Sequence, residues 1–403
     1  MISITEAIEI IQGNQLLPGT TSTDLSSALG RVIAKEILSP EPLPRFTNSA
    51  MDGFAIRWSD IEQAEEGPAV IFTVIGESQA GIPFDSKLGP GEAVRINTGA
   101  MLPDGADHVV AVEDVTEETG SISIRSSLEY RQYIRFEGEE VMPGDVLLEQ
   151  GSMITPPALG FLTSAGVESV TIYEKPEVAI LVTGNELVNS GEDIQPWQIR
   201  DSNRAMLSTS VQLAGGEVTY AGHCGDSLEE TRNSIREASE TARIVLVSGG
   251  VSVGPHDLVK EAAEEEGFKR LFWKIKQKPG KPLFFARRED TLLFGLPGNP
   301  VSAIICYAYY IDPLLRQLTG RENKWRMVAG NAGERIENRG DRTLFIRTQH
   351  SRDDGGSLTV KPLKKQGSHM LSSMATADGF LLLEPGAVVE VGEEATIHLF
   401  PWM

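Results

Sequence analysis

Three carboxylates, far apart along the chain, stand at the same kind of place. Glu186 follows the apolar run Val178-Ala179-Ile180-Leu181-Val182 through Thr183-Gly184-Asn185. Asp226 follows Val218-Thr219-Tyr220-Ala221, and Asp257 follows Ile244-Val245-Leu246-Val247 through a Ser/Gly-rich loop. Each sits after a strand-like run and before a helical pattern, where right-handed crossovers of an open α/β sheet gather their loops at one edge. Carboxylates converging there repel unless a hard cation such as Mg²⁺ neutralises them, so the pattern predicts a metal at Glu186, Asp226 and Asp257, and a phosphorylated ligand. Asp226 with Glu229 also matches a capping box, which is useful with no ligand at all.

The anion side of such chemistry has candidates too. In Ser248-Gly249-Gly250-Val251-Ser252-Val253-Gly254 the glycines free backbone N–H groups to turn toward a phosphate, although Ser-Gly-Gly after a strand is also common βα punctuation. Lys274, Lys276, Lys278 and Lys281 crowd Trp273-Lys274-Ile275-Lys276-Gln277-Lys278-Pro279-Gly280-Lys281-Pro282. Alternation would put the first three on one side of a single extended strand, and a solvated edge strand would also suit lysines. Leu296-Pro297-Gly298-Asn299-Pro300-Val301-Ser302 leaves another strand, with Ser302 able to donate to the same anion.

The elements that position these residues form an α/β multidomain chain of 403 residues. Strand and helix alternate over 175–320, which implies a central three-layer α/β domain around a parallel sheet. Residues 48–129 read as β-rich and 321–403 as a C-terminal β domain, barrel-like in character. Residues 1–47 with 130–174 read as a mixed linker domain, with two helical segments between Thr5 and Ile37 and Ser3 or Thr5 capping the first. Within Phe46-Thr47-Asn48-Ser49-Ala50-Met51-Asp52-Gly53-Phe54, the polar cluster suits close packing on a ligand or a second subunit, or equally a linker with Asp52-Gly53 as its turn. Thr98, in Asn97-Thr98-Gly99, has a turn or cap as its default role, and His369 reads as a surface hydrogen-bonding residue. A formal net charge of -21 excludes nucleic acid and anionic membrane as general partners. Two cysteines, no leader pattern and no transmembrane run fit a reducing cytoplasm.

In one order along nearly the whole chain, Asn48–Ala55, Asn97-Thr98-Gly99-Ala100, Thr183-Gly184-Asn185-Glu186-Leu187, Asp201-Ser202-Asn203, Ser248–Gly254, Lys278-Pro279-Gly280-Lys281-Pro282 and Leu296–Ser302 closely resemble the molybdopterin molybdenumtransferases, the MoeA and gephyrin E-domain family. The resemblance implies an elongated homodimer with a molybdopterin-binding-like α/β domain and an active site at the subunit boundary. It implies adenylyl-molybdopterin and molybdate as substrates, Mg²⁺ as cofactor and AMP as product. Molybdopterin adenylyltransferase and apo-molybdoenzymes are the implied transient partners. By motif, Glu186, Asp226 and Asp257 match the acids of the α/β domain, and Asp52 and Thr98 match residues reaching in from the other subunit. Lys278, Lys281, Pro282 and Ser302 match the molybdate pocket, with Arg347 and Ser372 as looser assignments. Ser248, Gly249, Gly250, Ser252, Gly254, Lys274, Pro297 and Asn299 complete the expected substrate contacts. Gly138-Glu139-Glu140 departs from the family's usual Gly-Glu-Asp. An adenylyltransferase on the same α/β domain and a non-catalytic scaffold are the rival readings.

Overall fold

A computed structural model describes every residue except 63–68, 125–128, 226, 253, 255–256, 323–324 and 353–355. The chain forms two compact units, Ser22–Val170 and a discontinuous one of Met1–Thr21 with Thr171–Met403.

In the larger unit, four parallel strands run in the order Glu217–Cys224, Glu177–Thr183, Ile244–Ser248, Thr291–Leu296. Phe284–Arg288 and Lys269–Trp273 extend the sheet antiparallel. The Ile244–Ser248 strand is buried throughout because it is covered on both faces: Ile244 and Leu246 enter one core, Val245 and Val247 the other. Helices Ser202–Leu213 and Pro300–Cys306 fill the first face, and Leu228–Thr241 and Val259–Glu265 the second. Helix Ile4–Gln12, closed by a Ser3–Glu6 capping box, buries Ala7 and Ile11 in that first core.

The C-terminal strands close on themselves. Thr343–Arg352, Leu358–Pro362, Met327–Ala332, Glu394–Leu399 and Gly379–Leu383 pair in sequence, and the last returns to the first, giving a barrel with Ile346, Val360, Leu381 and Ile397 inside. Gln277–Lys278, from the α/β region, adds in parallel to Thr343–Leu344.

The Ser22–Val170 unit holds a six-stranded mixed sheet ordered His108–Ala111, Gly53–Ile56, Glu92–Ile96, Val70–Ser78, Ser121–Ile124, Val115–Glu118. Phe54, Ile56, Phe72, Val110, Ile122 and Ile124 form its core. The second helix expected before Ile37 is a single 3₁₀ turn, Leu25–Ser27. Gly30 takes φ +75°, and the main chain of Arg31 and Ile33 bonds across to Ile154 and Ser152, so the apolar spacing serves an extended segment.

Candidate functional site

The parallel register sets one sheet edge: Thr183 lies beside Cys224, Val182 beside Ser248, and Ser248 beside Leu296. The loops carrying Glu186, Gly249–Asp257 and Pro297–Asn299 therefore leave neighbouring strands side by side, as expected. Gly249 adopts φ +101°, and a Cβ there would lie 2.3 Å from Thr183 Oγ1, so only glycine allows the loop so close to the adjoining strand. Asn203 ties two of the loops together, its amide donating to Ser248 Oγ at 2.8 Å and to the Gly298 carbonyl at 2.8 Å. Ser248 Oγ faces the Pro297 carbonyl at 3.5 Å.

Asp257 accepts a bond from the Gly254 N–H and returns its own N–H to the Gly254 carbonyl. Glu186 and Ser252 are exposed. Asp226 lies outside the described residues. The cap of the following helix is Ser227 paired with Glu230, one residue later than the Asp226–Glu229 box expected from sequence. Among the described residues, no group of three or more acidic, histidine or cysteine side chains is placed to hold a metal ion.

Lys274, Lys276 and Lys278 do not share one strand. The Lys269–Trp273 strand ends at Lys274, which takes φ +72°, and the chain folds back so that Ile275 N–H donates to the Lys281 carbonyl. Lys274 instead places its ammonium 3.7 Å from the Trp273 ring centroid, where Lys260 also packs at 3.9 Å. Trp273 Nε1 donates to the Val251 carbonyl at 2.9 Å, and the Lys260 ammonium reaches the Ser252 carbonyl. Lys274 thus belongs with the Gly-rich loop. Burial first, then the charge of Lys274, lowers the Lys260 pKa, while Asp257 opposes the shift.

A second group gathers where the barrel meets the α/β layer. Lys278 and Lys281 are exposed on a turn, with Pro282 closing it. Ser302 is 4 % exposed on helix Pro300–Cys306; Val301 N–H donates to the Ser368 carbonyl at 3.2 Å, and the Asn299 amide to Ser368 Oγ at 3.2 Å. Arg347 is fully buried; Nη2 donates to the Lys365 and Gly367 carbonyls at 3.0 and 3.2 Å. Among the described residues its Nε and Nη1 have no partner, and burial depresses its pKa to about 10. Ser372 is exposed on helix Leu371–Thr376.

In the Ser22–Val170 unit, Asn48 and Ser49 turn inward, leaving Asp52 exposed at the head of the Gly53–Ile56 strand. Thr98 donates both its main-chain N–H and its hydroxyl to Asp52 Oδ1, at 2.6 and 3.0 Å. Those bonds, with one from Asn97, hold the Asp52 carboxyl below the usual carboxylate range.

Asn203, Lys260 and Trp273 were absent from the expected contacts. A polar Asn two residues beyond the helix cap Asp201 was the legible signal for the first; the aromatic–cation packing had none.

The comparisons with known proteins cover the same regions. Residues 2–166 match the MoeA N-terminal region (domain I and II), 179–317 a probable molybdopterin binding domain, and 329–400 the MoeA C-terminal region (domain IV). A molybdopterin molybdenumtransferase of Haemophilus influenzae is 38 % identical over 95 % of both chains. One from Bacillus subtilis is 32 % identical over 96 % of this chain and 90 % of its own. A molybdopterin biosynthesis MoeA structure from Pyrococcus horikoshii superposes with a TM-score of 0.86 at 31 % identity, covering 99 % of each chain. With the three regions matched in order and the likeness sustained from end to end, the chain belongs to the molybdopterin molybdenumtransferase family.

Proposed function

We propose that this chain inserts molybdenum from molybdate into adenylyl-molybdopterin and releases AMP, using Mg²⁺ and a second copy of the chain to complete its site. Its family makes it an enzyme of molybdenum cofactor biosynthesis. The observation that supports an oxyanion substrate is Arg347: a wholly buried guanidinium with two unpartnered nitrogens is costly unless an anion joins it. Among the described residues no carboxylate pairs with it, so the dianionic molybdate is the matching charge. Lys278, Lys281, Ser302 and Ser372 are the further donors in this reading, with Pro282 as wall; together they hold molybdate by proximity.

The sheet edge takes the phosphorylated pterin. Gly249, Gly250, Ser252 and Gly254 offer main-chain donors, Lys274 supplies charge beside the loop, and Pro297 and Asn299 border it. Asp257 and Glu186, with Asp226, would hold Mg²⁺. Such a cation would need only one or two protein carboxylates when the ligand's phosphates are present, so Asp257 and Glu186 could serve without a third protein ligand. When bound, it neutralises the pyrophosphate and makes AMP the better leaving group. Asp257 has one oxygen held by the Gly254 N–H, and the other would serve this role.

Asp52 and Thr98 come from the partner copy in this reading, in support of which they lie exposed on the other compact unit. Buried free thiols at Cys224 and Cys306 support a cytoplasmic setting. No described helix is long and apolar enough to cross a membrane. Transient partners would be the adenylyltransferase that supplies the substrate and the apo-molybdoenzymes that take the product.

The test is AMP release by the purified chain given adenylyl-molybdopterin and Mg²⁺, with and without molybdate. Molybdate-dependent release, with a product that activates a molybdenum-free apoenzyme, is the expected result. Consumption of ATP with release of pyrophosphate would mark an adenylyltransferase instead, and no turnover of either kind would leave a scaffold.

A further inference from the structure

The lysine turn hangs on a side chain that faces inward. Gln277, immediately before Lys278, is 0 % exposed. Its amide Nε2 donates to the Pro279 carbonyl at 3.1 Å and lies 3.6 Å from Cys306 Sγ, while its Oε1 accepts the hydroxyl proton of Tyr310. Tyr310 is 3 % exposed and sits in a π-helical turn, Tyr307–Ile311, that continues helix Pro300–Cys306. Across the turn, Cys306 Sγ faces the Gly280 carbonyl at 3.6 Å. Gly280 has φ +93°, and a Cβ there would come within 2.5 Å of Gln277 Nε2 and 2.6 Å of Cys306 Sγ.

An enclosed amide is retained without heavy cost only when both its ends are paired. Here one end fixes the backbone between the two lysines and the other is fixed by Tyr310. Lys278 and Lys281 carry long flexible stems, and Gly280 has no side chain. The direction of the two ammonium groups is therefore set by the turn's backbone, which Gln277 holds from within at the Pro279 carbonyl, with Cys306 Sγ facing the Gly280 carbonyl beside it.

We propose that Gln277 and Tyr310 are a positioning pair for the oxyanion turn, aligning Lys278 and Lys281 on molybdate without touching it. The proposal rests on the reading of those lysines as molybdate ligands. A misplacement of about 1 Å can cost on the order of 10²-fold in rate, so loosening the turn shows first in the molybdate dependence.

The experiment compares Gln277→Leu, Tyr310→Phe and the double variant with the unaltered chain, reading AMP release against molybdate concentration and thermal unfolding in parallel. Each single variant leaves a buried partner unpaired, and is expected to unfold at lower temperature and to raise the molybdate concentration for half-maximal release by about tenfold. Half-saturation by adenylyl-molybdopterin should move by less than about twofold. The double variant removes both members and should regain part of its thermal stability while keeping the molybdate defect, a split that a merely structural role would not produce. Molybdate saturation of the double variant within about twofold of the unaltered chain overturns the pair. If the unaltered chain shows no molybdate-dependent release, the functional reading falls first and the pair falls with it; normal dependence there with normal variants overturns the pair alone.

Discussion

Asp52 and Thr98, 46 residues apart in sequence, meet through a single oxygen: both donors of Thr98 converge on Asp52 Oδ1. Asn97 adds a further bond to the same carboxylate, which stands at an exposed position. Asp52→Asn should lower AMP release on the order of 10²-fold, as loss of one fixed electrostatic contact does. Thr98→Ala keeps the main-chain N–H and loses only the 3.0 Å bond, so its loss should be about tenfold or less. Because the lost bond favoured the ionised form, any acid limb due to Asp52 in the pH–rate profile should move to higher pH in Thr98→Ala.

If Asp52 and Asp257 of one site come from different copies, two inactive variants can repair each other. Asp52→Asn mixed with Asp257→Asn under subunit exchange should recover about a quarter of the unaltered activity, since half the dimers would be mixed and each would hold one intact site. Recovery is read as AMP release after mixing; none would place both acids on the same copy's site or deny the dimer.

Arg347 sets stability against function. Arg347→Met removes an uncompensated buried charge, so its unfolding free energy should stay level or rise by about 1 kcal/mol, even though two carbonyls lose a donor. Molybdate-dependent turnover should fall roughly 10²–10³-fold. Equilibrium denaturation and molybdate titration separate the two effects.

The buried ring of His108 makes the Ser22–Val170 unit sensitive to acid. It lies edge-on to Trp58 at 5.0 Å, neither nitrogen has a partner among the described residues, and burial pushes its pKa from 6.5 down to about 4, against the pull of Asp107. Between those values the unfolded chain takes up a proton that the folded one refuses, so stability falls as pH drops from about 6.5 to about 4, by roughly 3 kcal/mol. His108→Phe should flatten that slope in a thermal-unfolding series across the same range.

Asn203 offers the cleanest test of loop coupling. Asn203→Ala frees Ser248 and the Gly298 carbonyl at once, which should cost about 1–3 kcal/mol of stability and weaken binding of the adenylylated pterin more than that of molybdate. Separate saturation curves for the two substrates decide it.

The sheet edge was readable because it depends on short-range grammar. Apolar runs such as Val178–Val182 and Ile244–Val247 announce buried parallel strands, and handedness then fixes where their loops go. The barrel was readable as strands, although its closure depends on the pairing of Gly379–Leu383 back onto Thr343–Arg352, which no local pattern carries. Lys274 misled for a physical reason: alternation assumes an unbroken strand, and a left-handed residue reverses the direction of everything after it. Leu25–Ile33 misled likewise, its helical spacing being served by a turn and an extended segment. Gln277 was invisible as a functional residue, since its meaning comes from Tyr310, a partner 33 positions away on another element.

The discontinuity of the larger unit has a consequence for synthesis. Helix Ile4–Gln12 leaves the ribosome long before the elements it packs on, for its apolar face lies in a core that includes Tyr310, Ile311 and Leu314, and Gln15 bonds a residue 302 positions later. At roughly 5–20 residues per second it waits about 15–60 s for that surface to exist. The Ser22–Val170 unit, with a core of its own, can close during the wait. A nascent chain stalled beyond Val170 would carry a finished β unit and a helix with Ala7 and Ile11 unshielded, a state suited to chaperone capture until the last helices of the α/β layer emerge.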